Sequence, residues 1–114
     1  MSKIEVIRGD TRTISATFTD SSGDALDLTG GTVFFTVNSN NSPSDDSSAS
    51  IEKDITSFSA PTSGVATFTL SSTDTNITPG NYWYDCQFVS PSGVVTSLKK
   101  QKFVVTSDIT RRTT

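Results

Sequence analysis

In this chain, apolar residues recur at every second position in short runs, and hardly anywhere at helical spacing. Side chains of an extended backbone point alternately to opposite sides, so each run reads as a strand with one apolar face. In RTISATFT (12–19), Ile14, Ala16 and Phe18 face one way and Thr13, Ser15, Thr17 and Thr19 the other. KIEVIR (3–8) sets Ile4 and Val6 together, TVFFTV (32–37) Val33, Phe35 and Val37, and SIEKDI (50–55) Ile51 and Ile55. SGVATFTL (63–70) aligns Ala66, Phe68 and Leu70 beside Val65, and YWYDCQFV (82–89) aligns Tyr82, Tyr84, Cys86 and Phe88. VVTSLKKQKFVVT (94–106) reads as a last strand that carries Phe103 and Val105 inward.

Turn-forming segments separate the runs. DSSGDALDLTGG (20–31) supplies Leu26 and Leu28 as plugs over one end of the core, and SPSG (90–93) makes a tight hairpin. SSTDTNI (71–77) predicts a single helical turn capped by Ser72, with Ile77 beneath it. NSNNSPSDDSSAS (38–50) has no apolar residue but Ala49 and reads as a solvated loop. Seven or eight short strands within one domain (1–114), with no helix of ordinary length, predict an all-β fold. The expected form is an immunoglobulin-like β-sandwich of antiparallel strands with an extended tail at 107–114.

A hydrophobic share of 32% is low for a globular chain, and Ser and Thr together make up 38 of the 114 residues. Half-buried strands account for both figures, because each needs only one apolar face and Thr suits a pleated surface.

The stretch PGNYWYDC (79–86) gathers three aromatics and the chain's single cysteine. Immunoglobulin-like sandwiches often carry a tyrosine whose hydroxyl bonds back to upstream backbone, commonly two residues before a cysteine. Both Tyr84-Asp85-Cys86 and the corner Gly80-Asn81-Tyr82 answer to it. With no second cysteine for an intrachain disulfide, Cys86 reads as a small core filler.

Little else resembles chemistry. The chain contains no histidine, so the commonest general base and metal ligand is missing. Asp20, Asp24 and Asp27 lack the spacing of a calcium loop and read as turn formers, while Asp45 and Asp46 read as solvated. Asn76-Ile77-Thr78 is formally a glycan acceptor, but Pro79 follows and MSKIEVIRGD has no apolar signal core. A net charge of −3 gives no footprint for nucleic acid, and no apolar run is long enough for a membrane helix. The expectation is a non-enzymatic protein without metal or cofactor.

The candidate contact residues lie on the surface. Trp83 and Phe34 fall on the face opposite the core-facing residues of their strands. Lys99, Lys100 and Lys102 form a basic cluster that either guards an edge strand against aggregation or docks an acidic partner. Arg111 and Arg112 close the chain as a docking tail or a solvated end.

Several short segments recur in a familiar order: IRGDT (7–11), LDLTGGTVFFTV (26–37), GVATFTLSSTDT (64–75), PGNYWYDC (79–86), SPSGVVTSL (90–98) and FVVTSDITR (103–111). The set resembles the immunoglobulin-like domain at the N-terminus of tailed-phage baseplate upper proteins and related small phage virion proteins. The resemblance spans residues 4 to 111. It implies an attachment module in the tail, baseplate or fibre-attachment region of a virion assembled in the host cytoplasm. It also implies other virion proteins as partners, with the domain a homo-oligomer or present in many copies on a ring. Longer members continue into a stalk, whereas this chain ends at DITRRTT. Two alternatives stay open: a capsid decoration or head-fibre protein, and a soluble carbohydrate-binding adhesion module.

Overall fold

The computed structural model describes residues 3–39 and 49–107. Eight strand segments run through them: β1 (Ile4–Ile7), β2 (Arg12–Thr17), β3 (Thr32–Asn38), β4 (Ile51–Ile55), β5 (Val65–Leu70), β6 (Gly80–Val89), β7 (Val95–Ser97) and β8 (Gln101–Thr106). A single 3₁₀ turn, Pro61–Ser63, leads into β5. It ends at Gly64, whose φ of 74° suits glycine, and a Cβ there would stand 2.5 Å from the Phe18 carbonyl oxygen.

The strands form two sheets. The larger is ordered β1-β8-β6-β3-β4, with β7 also on β6; the smaller is the ribbon β2-β5. Alternation places the core as the sequence predicts. Tyr82, Tyr84, Cys86, Phe88, Phe35, Phe103 and Val105 of the large sheet are buried, as are Phe18, Ala66 and Phe68 on the ribbon side. Of the pair Val65 and Ala66, it is Ala66 that is sealed, and Val65 is half-buried. Phe35 and Phe68 meet across the layers at 5.0 Å between ring centroids, and Phe18 and Phe88 at 6.0 Å. Leu28 is buried at one end and Leu26 packs beside it, so both plug the core.

Four sequence expectations need correction. First, the strands are not all antiparallel: β1 runs parallel to β8, pairing Ile4 with Phe103 and Val6 with Val105. Parallel neighbours need a long connection between them, and here nearly the whole domain serves as that connection.

Second, the last strand is broken. Cys86 is bonded by the Leu98 N–H at 2.9 Å and Tyr84 is paired with Gln101, so Lys99 and Lys100 together stand opposite the single residue Asp85. This is a β-bulge. Strict alternation from Phe103 back through Gln101 would turn Lys99 into the core. The extra residue leaves Lys99 and Lys100 exposed and lets Leu98 pack against the core.

Third, β8 lies between β1 and β6, so Lys102 does not guard an edge. Fourth, the turn at 71–77 is capped by Ser71 rather than Ser72. The Ser71 Oγ accepts from the Asp74 N–H at 3.2 Å, and the Asp74 carboxylate accepts from the Ser71 N–H at 2.8 Å, a reciprocal capping box. Ser72 is one residue too late for this exchange.

The loop expected at 38–50 is also narrower at its start, because Asn38 is the buried last residue of β3. Asp45, Asp46 and the tail beyond Ser107 lie outside the described residues.

Candidate functional site: the outer face of the large sheet

The pleat that sends Tyr82, Tyr84, Cys86 and Phe88 inward sends Asn81, Trp83, Asp85 and Gln87 outward. On β3 the same rule turns Thr32, Phe34 and Thr36 outward. Register then builds the face row by row. Lys102 lies beside Trp83, and Trp83 beside Asn38; Asp85 lies beside Thr36, and Thr36 beside Glu52; Ser97, Gln87, Phe34 and Asp54 form a third row. Trp83 and Phe34 therefore share one face. The row of Asp85, Thr36 and Glu52 separates them, at about 13 Å along the strands.

Each aromatic is set in a polar surround. The Lys102 ammonium sits 5.9 Å from the centroid of the Trp83 ring, within cation–π range, so the lysine stem covers part of the half-buried indole. Phe34 is 37% exposed. It lines a shallow depression of about 290 Å³ with Thr36, Asp85 and Gln87. The Gln87 amide donates to the Ser97 hydroxyl at 3.4 Å, which holds one wall.

Charge changes sign across the face. Lys99, Lys100 and Lys102 stand on the β8 side, and Glu52 and Asp54 on the β4 side. The structure thus brings Trp83, Phe34 and the three lysines onto or beside one surface, while Arg111 and Arg112 lie outside the described residues. Alternation along YWYDCQFV already set Asp85 and Gln87 on the side of Trp83, whereas sequence reasoning missed Glu52, Asp54 and Thr36 as members of this surface. The alternation in SIEKDI already set Glu52 and Asp54 opposite Ile51 and Ile55, so that signal was legible.

Residues considered for chemistry occupy other positions. Burial pushes the Cys86 thiol up to about 12, with the nearby Asp85 carboxylate adding to the effect, so it stays protonated. Burial likewise raises Tyr84 to about 12, with Cys86 contributing. Tyr82 makes a backward bond, donating its hydroxyl to the Thr78 carbonyl at 2.5 Å. Asp20 accepts from the N–H groups of Ser22 and Asp24, and Asp27 from the hydroxyl and N–H of Thr29. The Thr29 hydroxyl, followed by its N–H, lowers the Asp27 pKa. Among the described residues no group of three His, Cys, Asp or Glu side chains could hold a metal ion. No helix there is long and apolar enough to cross a membrane.

No protein-family model matches the chain, and no curated protein does.

Proposed function

We propose that this chain is a non-enzymatic structural protein of a phage virion, an immunoglobulin-like adaptor in the tail, baseplate or fibre-attachment region. The observation that carries the reading is the outer face of the large sheet. Exposed Phe34 and half-buried Trp83 stand on a broad pleated surface flanked by opposite charges, a form suited to meeting another protein surface. The ordered short segments from IRGDT to FVVTSDITR add the phage context. The backward Tyr82 bond and the pairing of the first strand with the last support the immunoglobulin-like form.

The face suits a flat protein partner better than a sugar, because its two aromatics stand two rows apart and do not form a stacking platform. The test is quantitative mass spectrometry of purified particles from a phage carrying the wild-type gene or Trp83→Ser. Tail placement predicts a copy number that is a small multiple of the tail's rotational symmetry, and loss of incorporation in the variant. A copy number on the scale of a whole shell would move the protein to the capsid. Absence from particles would overturn the virion reading.

A further inference from the structure

The margins of the two sheets are protected unequally. An open strand edge presents unpaired N–H and C=O groups, and proteins blunt it with charges, short length or cover. β4 carries Glu52, Lys53 and Asp54 in succession, with Lys53 facing inward and bonded to Asp74 at 2.7 Å. At the β1 edge, Arg12 donates from Nη1 to the Glu5 carbonyl at 3.1 Å, and Glu5 pairs with Lys3. β2 starts with that arginine, and β7 is only three residues long. β5, Val65-Ala66-Thr67-Phe68-Thr69-Leu70, has six residues and carries no charge, no proline and no bulge.

The hydrogen-bond phase of β5 shows which groups are left open. The Phe18 N–H donates to the Gly64 carbonyl at 2.8 Å, and the two residues are directly opposed in the continued register. Residues 66, 68 and 70 therefore bond toward β2, and Val65, Thr67 and Thr69 turn their N–H and C=O groups the other way. The close approaches of Thr13 Oγ1 to Thr69 Oγ1 (3.3 Å) and Ser15 Oγ to Thr67 Oγ1 (3.1 Å) fit this phase, because side chains lie nearer in the pairs that do not exchange hydrogen bonds. Among the described residues those outward groups meet no backbone partner.

We infer that the free edge of β5 pairs with β5 of a second copy of this chain, antiparallel about a two-fold axis beside Thr67. This register engages every outward group of the strand: Thr67 bonds its own mate, and Val65 bonds Thr69 of the other copy. On the inner side it sets small Ala66 opposite the Phe68 ring, so the two cores meet without a steric clash at the seam. On the outer side it sets Thr67 against Thr67 and Val65 against Thr69. No charge is brought against a like charge, which is what an isologous contact requires. The result is a continuous sheet β2-β5-β5-β2 spanning two molecules. The inference stands on the edge geometry alone and goes beyond the virion reading.

The contact is smaller than a standard interface of about 1,600 Å², so association is expected in the micromolar range. Sedimentation velocity of the full chain, from low micromolar to near-millimolar concentration, should show a monomer–dimer equilibrium. Among the described residues the Thr67 N–H has no partner, so Thr67→Pro should fold and raise the dissociation constant by about tenfold or more. Thr67→Lys and Thr67→Glu should each weaken self-association by about fivefold, and a mixture of the two should restore the dimer. Amide exchange gives a second readout. The amides of 66, 68 and 70 should be protected at all concentrations, and those of 65, 67 and 69 only as the dimer forms. A chain that is monomeric throughout, or a dimer indifferent to all three substitutions, overturns the inference. So does protection of residues 65, 67 and 69 in the monomer.

Discussion

The two outer faces of this domain are made by the same alternation, yet they carry different chemistry. The ribbon shows the solvent Thr13, Ser15 and Thr17 beside Thr69, Thr67 and Val65, and its hydroxyls pair across the strands. The large sheet shows Phe34 and Trp83 with acidic residues to one side and lysines to the other. The difference shows where selection has room to act. Inward positions on both sheets answer to one shared core, so they are apolar on both. Outward positions answer to no shared core and meet only their neighbours on the same face. Hydroxyls that bond one another leave a quiet surface, and partly exposed aromatics leave one that gains by being covered.

That contrast assumes that the ribbon and the large sheet close over one core, and the largest expected effect tests the assumption. Cys86 points from β6 into the space beneath the ribbon. With its pKa raised to about 12 from an ordinary 9.0, ionisation alone should slow native thiol labelling about a thousandfold relative to the denatured chain. Labelling at the same rate in both states would mean that the ribbon lifts away freely. Phe35→Ala and Phe68→Ala, one from each layer, should each cost about 3–5 kcal/mol in denaturant unfolding, because the two rings pack against each other. A Phe68→Ala protein within about 1 kcal/mol of wild type would make the ribbon a satellite rather than half of the domain.

A smaller effect concerns the strap between the layers. Lys53 of β4 reaches Asp74 in the turn that follows β5. Partial burial acts to raise the Asp74 pKa, but the Lys53 ammonium and the Ser71 N–H and hydroxyl outweigh it, and the net shift is downward. A carboxylate with a lowered folded pKa contributes its full stability above its unfolded value near 3.8 and loses it as pH falls through the folded value. Asp74→Asn should therefore flatten the acid limb of the stability curve below that point. Ser71→Ala, which removes the cap but keeps the ion pair, should cost about 1 kcal/mol at neutral pH. An unchanged acid limb in Asp74→Asn would sever the strap.

The smallest effects separate the outer faces themselves. Phe34→Ser and Trp83→Ser should each change stability by no more than about 1 kcal/mol, since neither ring enters the core. A double-mutant cycle on Thr13→Ala and Thr69→Ala should give a coupling of about 0.2–1 kcal/mol. If Trp83→Ser instead unfolds the protein, the indole supports the sheet and the contrast between a quiet face and a contact face disappears.

Which residues face inward was legible in the sequence alone. Period two is a property of the extended backbone, so Ile14, Phe35, Phe68, Cys86 and Phe103 could be assigned to the core one strand at a time. The outward position of Trp83 and Phe34 followed from the same rule. Which strand lies beside which could not be read that way, because pairing joins residues far apart in the chain. Only the tertiary structure set β1 against β8, so that Lys102 stands inside a sheet rather than at its edge. It placed Lys99 and Lys100 in a bulge because Leu98 and Phe103, at odds in a simple alternation, both had to reach one core. Among the described residues it also left β5 without a neighbour along one side while charges cover its counterpart β4, a contrast that exists only once the two sheets have closed on each other. Local stereochemistry decides the direction of each side chain, and the geometry of packing decides the neighbours it meets.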